Sequence, residues 1–440
     1  MTQYLSASQP KKDAVMALVV TLQDEAAEPF RRIEAARALG MRGDARAVVP
    51  LAQMLDTADA QLQRSVIESL GRLGEPALET LLEAVQHPDV TIRQHATIAL
   101  SRQRDVRSRT VLVDRLHHDP EPMVRGFAVF ALAELRDDDT ILAELMNALD
   151  DPDEAVQRYA VDALGRLGDP RAVPLLANTL GANNPQLRFS AVDALAQLGQ
   201  TALYALIDAL TVRDAALRKH IIVTIGRLGA PEAVNALADI LRTDADPDVR
   251  SSAAVALGQS GDSGTVVPLF AALRDDPNPL VRRRAAYGLG QLHPREILLP
   301  LVPYLLDPDR SVRDAVASAL PKFPDPPLER LADQLLDATL PEMRAAAALA
   351  LGILRAYNAR DAVGGALRDP APEVRLAAAI SIGRLLAEDY VEHLAALLQD
   401  TRQPFDWSRR RVCDAAAGAL ETIATEASLG ALNDWYEHGA

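Results

Sequence analysis

Apolar residues along this chain recur at i, i+3, i+4 and i+7 in blocks of roughly 10–14 positions, the signature of one-sided helices, with short polar breaks between blocks. The stretch DDPDEAVQRYAVDALGRLGDPRAVPLLANTL, residues 150–180, contains one complete unit. Its first helix stops at Gly168, where a left-handed cap needs no Cβ, as Gly74 and Gly229 stop their own. Asp169 then caps a second helix with Pro170 in its first turn, and AVPLLANTL supplies that helix with an apolar face. Breaks such as DDPD at 150–153 and DPDR at 307–310 lead from one unit to the next. Each unit therefore predicts two antiparallel helices joined by short turns.

Aligned on V-R-x-x-A-x-x-x-L-G, the unit occurs thirteen times. Its anchor position is arginine in ten copies: Arg32, Arg93, Arg125, Arg188, Arg218, Arg250, Arg282, Arg313, Arg344 and Arg375. Gln63, Gln157 and Cys413 hold the other three. Spacings are 30 to 32 residues, except for 38 before Cys413. Positions +3 and +7 from the anchor are the expected core, as Ala253 and Leu257 are in the copy begun by Arg250. Position +6 is almost always small (Ala38, Ser69, Ala256, Gly288), which lets neighbouring units approach closely. One hairpin cannot bury its apolar face alone, so the units must stack. The expectation is an all-α fold, an α-α superhelix of about 13 two-helix repeats forming a curved rod roughly 110–130 Å long.

This unit resembles the HEAT repeat, and specifically the short HEAT-like repeat named after phycobilisome lyases; the segment 150–180 fits that pattern almost throughout. The resemblance extends over about residues 13–425 and implies a solenoid whose concave surface binds a protein partner as scaffold, adaptor or assembly factor. It also implies an alternative: similarity to phycobilin lyases, which hold an open-chain tetrapyrrole for attachment to an antenna protein. The organisation expected is a flexible segment at 1–12, a single solenoid at 13–425 and a C-terminal capping segment at 426–440. Within the solenoid, PKFPDPPLERL (321–331) predicts a kink and residues 401–411 an inserted loop.

Composition narrows the functional classes. A formal net charge of −15 disfavours nucleic acid and anionic membrane as partners. Of 46 basic residues only Lys11, Lys12, Lys219 and Lys322 are lysine, which reads as a coding bias of a bacterial genome. The single cysteine precludes an intramolecular disulfide framework and a Cys-rich zinc site. The run AVMALVVTL at 14–22 is too short to span a bilayer. QDEAAEPF follows it where a signal peptide would be cleaved, so the expected location is cytoplasmic. None of the eight histidines is followed by glutamate, against the paired His-Glu motifs of HEAT-like di-iron hydroxylases. No HExxH, G-x-S-x-G, P-loop or dinucleotide fingerprint occurs either. No catalytic residue, cofactor or metal ligand is therefore assigned.

Three sets of residues remain as candidates. The anchor arginines are spaced as the architecture is, and read as a structural ladder bonded to Asp or carbonyl groups in the inter-repeat turns. Positions +2, +5 and +9 share a helix side away from the core. There the middle repeats carry His95, Phe127, Phe130, Tyr159, Arg166, His220, Arg227, Arg284 and Tyr287, with Asp162 and Asp193 among them. Aromatic and arginine side chains anchor protein interfaces, which makes this face a candidate partner-binding groove; Phe127 and Phe130 could equally fill the inter-repeat core. Phe405 and Trp407 in the 401–411 insertion form the third set, as a binding loop or a plain long turn. Cys413, at an anchor slot, is expected to be buried and inert, and Trp435 and Tyr436 to cover the end of the stack.

Overall fold

The computed structural model describes residues 10–135, 139–405 and 410–438. Among these are α-helices, short 3-10 turns and no strand. They fall into two compact units, Met1–Ala209 and Leu210–Ala440. The first unit holds six anchor helices, Pro29–Arg42, Ala60–Leu73, Val90–Gln103, Pro122–Leu135, Glu154–Leu167 and Pro185–Leu198. The second holds seven: Ala215–Leu228, Pro247–Gln259, Pro279–Leu292, Arg310–Ala319, Pro341–Ile353, Pro372–Leu385 and Val412–Ile423.

Local chemistry sets where these helices start and stop. Asp59, Asp89, Asp153, Asn184, Asp214, Asp246, Asn278 and Asp309 cap them, each side chain accepting from a first-turn backbone N–H. Proline follows the cap directly at Pro185, Pro247 and Pro279, where its missing N–H costs nothing. Gly168 ends its helix in the left-handed conformation, φ 76°. Gly74, at φ 72° and ψ −139°, occupies a region essentially closed to other residues. Elsewhere Arg104, His293, Leu386 and Ala424 take positive φ without that freedom.

The companion helices are shorter than the pattern predicts. Most enter through a 3-10 turn, as Pro170–Ala172 precedes Val173–Thr179. In this repeat the Asp169 carboxylate accepts the Arg171 N–H in that first turn. Pro10–Lys12, expected within the flexible segment, begin the helix Pro10–Gln23, whose Val15, Val19 and Leu22 are buried; residues 1–9 lie outside the described part. In the proline-rich segment, Phe323 is buried, Asp325 takes φ 48° and a helix restarts at Leu328–Asp337. At the C-terminus, Leu432 of Glu426–His438 is buried, Trp435 is half-buried and Tyr436 is exposed.

Positions +3 and +7 form the core, with Ala253, Leu257, Ala285 and Leu289 fully buried. The small +6 column has a partner that the period alone did not reveal, the glycine at +8 of the preceding repeat. A Cβ built on Gly165 would stand 2.8 Å from Ala194 Cα, and one on Gly258 2.5 Å from Gly288 Cα. Backbones thus meet with no side chain between them, so the glycine at +8 is a packing residue. Cys413 is buried in this layer, and burial pushes its thiol pKa up.

Candidate functional site

The anchor arginines bind in two directions. Arg250 Nη1 donates backward to the Asp244 and Ala245 carbonyls at 2.9 and 3.2 Å, in the turn that opens its own helix. Its Nε and Nη2 donate forward to Asp276 Oδ2 and Oδ1, at 2.7 and 3.0 Å. Asp276 also accepts the Asn278 N–H, and its carbonyl receives Arg282, which reaches Asp307 in turn. An unbroken relay therefore runs from Arg218 through Asp244, Arg250, Asp276, Arg282 and Asp307 to Arg313. Ala338 stands where the next carboxylate of this series would be, just past the proline-rich segment. A second run joins Arg344, Asp369, Arg375 and Asp400. In the first unit Arg93, Asp119, Arg125 and Asp151 repeat the pattern, and Asp151 O ends it by accepting from Gln157. Arg32 and Arg188 donate to turn carbonyls, at Leu22 and at Ala182 and Asn183.

These pairs are dry. The Arg93 and Asp119 side chains are 9% and 0% exposed. Burial by itself would raise the Asp151, Asp244 and Asp369 carboxyls, but hydrogen bonds from arginine and from a backbone N–H two residues on hold each below the usual range.

The +2, +5 and +9 face of the anchor helices differs between the units. In the first, Phe127, Phe130 and Tyr159 are half-buried. Phe127 meets Tyr159 edge to face with centroids 6.0 Å apart. A Cβ on Gly126 would come within 2.5 Å of the Tyr159 ring, so this glycine admits the aromatic pair. The Arg166 guanidinium lies 4.8 Å from the Phe130 centroid, 3.1 Å from Asp162 and 3.7 Å from Glu134. His95 Nδ1 donates to Thr91 O at 2.8 Å. Polar groups here are largely satisfied by their own neighbours.

In the second unit, His220 is half-buried, while Arg227, Arg284 and Tyr287 are exposed. Arg227 and Arg284 line a cleft of about 390 Å³ together with Lys219, Val223 and Asp248. Arg284 also borders a second cleft of about 530 Å³, with Arg283, Tyr287, Asp314 and Lys322. Lys322 Nζ stands 5.2 Å from the Tyr287 ring centroid. The sequence-level candidates omitted Lys219, Arg283 and Lys322. Lys219 and Arg283 stand at +1, outside the +2, +5 and +9 columns, and Lys322 stands at +9 of the repeat begun by Arg313, beyond the middle repeats from which the candidates came. Two of the chain's four lysines lie on this one strip.

The insertion is closed at its base by Val412 N to Arg402 O at 3.0 Å and Cys413 N to Asp400 O at 2.9 Å. Phe405 is half-buried; Trp407 lies outside the described residues. No group of three or more His, Cys, Asp or Glu side chains able to hold a metal occurs among the described residues, and no described helix is long and apolar enough to cross a membrane.

Comparison with known proteins follows the repeat. The family model for HEAT repeats matches residues 48–133, 109–196, 175–258, 266–352 and 328–410. The model for the PBS lyase HEAT-like repeat matches residues 31–57. The phycocyanobilin lyase subunit beta of Nostoc sp. is 35% identical over 82 residues, 19% of this chain and 41% of that protein. The bilin biosynthesis protein RpcF of Synechococcus sp. is 31% identical over 81 residues, 18% of this chain and 39% of that protein. The chain thus spans about two fifths of the length of these curated relatives. Among solved structures, the Kap95:Nup1 complex matches with a TM-score of 0.51 at 12% identity, covering 97% of this chain and 68% of that one, a likeness of fold alone.

Proposed function

The chain belongs to the HEAT-repeat family, and we propose that it is a non-catalytic, cytoplasmic scaffold, adaptor or assembly factor that binds a protein partner through the +2, +5 and +9 face of its anchor helices, the side expected to line the concave groove. The observation that carries this reading is the division of labour along each repeat. The +3, +6, +7 and +8 positions and the arginine ladder serve stacking, and what varies from repeat to repeat is the exposed face. We assign the ladder to the architecture, because its donors and acceptors repeat with the helices and are consumed within the turns. Phe127, Phe130, Tyr159 and Arg166 in the first unit, and His220, Arg227, Arg284 and Tyr287 in the second, are the contact residues proposed, with Phe405 and Trp407 on the insertion. A spread interface of roughly 1,200–2,000 Å² predicts gradual loss with single substitutions and one or two hot spots. The test is quantitative binding of a partner purified from the native host. Trp407→Ala is expected to weaken capture by about 2 kcal/mol or more; affinity untouched by Trp407→Ala, Tyr159→Ala and Arg227→Ala alike would end this assignment of the surface.

A second reading, a phycobilin lyase or chaperone-like protein, draws on the two bilin-protein relatives and on the cleft where Arg284, Tyr287 and Lys322 meet. Mixing the purified protein with a bilin separates the readings. We expect an unchanged free-pigment spectrum. A red-shifted, narrowed band lost in Arg227→Ala would displace the scaffold-only view.

A further inference from the structure

Resting on the scaffold reading, we propose that the strip Lys219–Arg227–Arg283–Arg284–Lys322 in the second unit, exposed except for the half-buried Arg283, is a docking groove for an extended, acidic segment of a partner protein. Three observations meet here. First, these five cations form no ion pair among the described residues and stand together along two clefts, whereas Arg46, Arg107, Arg171 and Arg274 are each paired with an adjacent carboxylate. In a chain of net charge −15, these cations on three of four successive repeats are a local inversion of the overall field. Second, the strip is not flat. Two clefts, about 390 and 530 Å³, open along it, and Arg284 lines both. Third, apolar surface is interleaved with charge, with Val223 in one cleft and Tyr287, 46% exposed, in the other.

The spacing specifies the ligand. The Lys219–Arg227 and Arg283–Arg284 groups are two repeat steps apart, which at ~10 Å per packed helix is roughly 20 Å. An extended chain rising about 3.3 Å per residue covers that distance in about six residues. The occupant is therefore a segment with two Asp/Glu clusters separated by about six residues, its backbone lying over Arg284 and an apolar side chain against Tyr287. A nucleic acid fits less well. Asp248 and Asp314 stand in the cleft walls, where a regular row of phosphates would meet them, and the net charge of the chain repels a dense polyanion.

The experiment is fluorescence anisotropy on the full chain. The probe is a labelled decapeptide with Asp-Glu pairs at both ends and a Ser/Leu spacer of six residues. Controls are the same peptide with Lys-Lys ends and a ten-nucleotide oligothymidylate. The acidic peptide is expected to bind, to weaken as salt rises, and to lose at least tenfold in affinity with Arg227→Glu/Arg284→Glu. Neutral Arg284→Gln/Lys322→Gln should lose severalfold, with circular dichroism unchanged in every variant. Equal affinity for wild type and both double variants, or tighter binding of the oligothymidylate than of the peptide, would overturn the proposal. Should a native partner bind the wild type and both variants alike, the acidic-segment assignment fails while the scaffold reading stands. If no native partner is bound but the peptide results hold, the scaffold reading fails and the groove remains.

Discussion

The two units are built by the same rules and present different faces. In the first, the side chains pointing away from the core are aromatic, and their charges are spent on one another. Arg166 lies against Phe130 with Asp162 and Glu134 beside it, and Tyr159 leans on Phe127 over a glycine. In the second, the equivalent side chains are cationic and open: Arg227 and Arg284 line clefts, and of the carboxylates nearby Asp314 pairs with Arg310 instead. A charge that already has partners contributes to the rigidity of its own repeat. An unpaired one stays hydrated and ready for a ligand, at little cost to stability while it is exposed. The contrast teaches that residue type alone does not mark a binding face; the partnering of each charge does.

Substitutions in what the units share should give the largest effects. Arg93→Ala leaves buried Asp119 with only the longer contact to Arg115 at 3.4 Å, and is expected to cost about 3 kcal/mol, lost mainly from the first unit. Hydrogen exchange resolves which unit opens. A loss below ~1 kcal/mol would mean the ladder is decoration. The same ladder sets acid stability. The folded Asp151, Asp244 and Asp369 carboxyls lie below their unfolded value of about 3.9, so their contribution is complete above that pH and is lost as pH falls through the folded values. Melting temperature should be flat from pH 7 to 5 and drop below about 4. In Arg218→Ala, where Asp244 loses its partner, the drop should begin at higher pH.

Close packing gives the next effect in size. Gly258→Val pushes a branched side chain into the Gly288 backbone and is expected to destabilise the second unit by about 1–3 kcal/mol in denaturant unfolding. Gly43→Ala is the informative control: its position at φ 66° has open space around it, so any cost there is conformational and not steric.

The smallest change bears most directly on the contrast. Arg166→Gln removes a cation–π contact and two carboxylate partners and should cost about 1 kcal/mol. Arg284→Gln should change stability by less than about 0.5 kcal/mol. Equal costs in the two variants would erase the distinction drawn between the faces.

Much of this molecule was legible before its structure. Helix starts follow from Asp or Asn before Pro, helix ends from Gly168 and Gly229, and the core from the +3 and +7 columns, because caps and amphipathic spacing act over a few residues. The ladder was half legible. Its arginines were plain from the period, but that each joins two turns required seeing Asp276 reach Arg250 across 26 residues. The +8 glycines and Gly126 were not legible at all, since a glycine's neighbour is set by how one helix lies on the next. The same holds for the second unit's groove. Lys219, Arg283 and Lys322 look like any solvated charges in the chain, and only their placement beside Arg227, Arg284 and Tyr287 sets them apart. The sequence by itself determined the repeat, its helices and its stacking, through interactions local to one unit or periodic between units. Which charges remained without partners was decided by the tertiary structure, because pairing depends on distances between residues that no period relates.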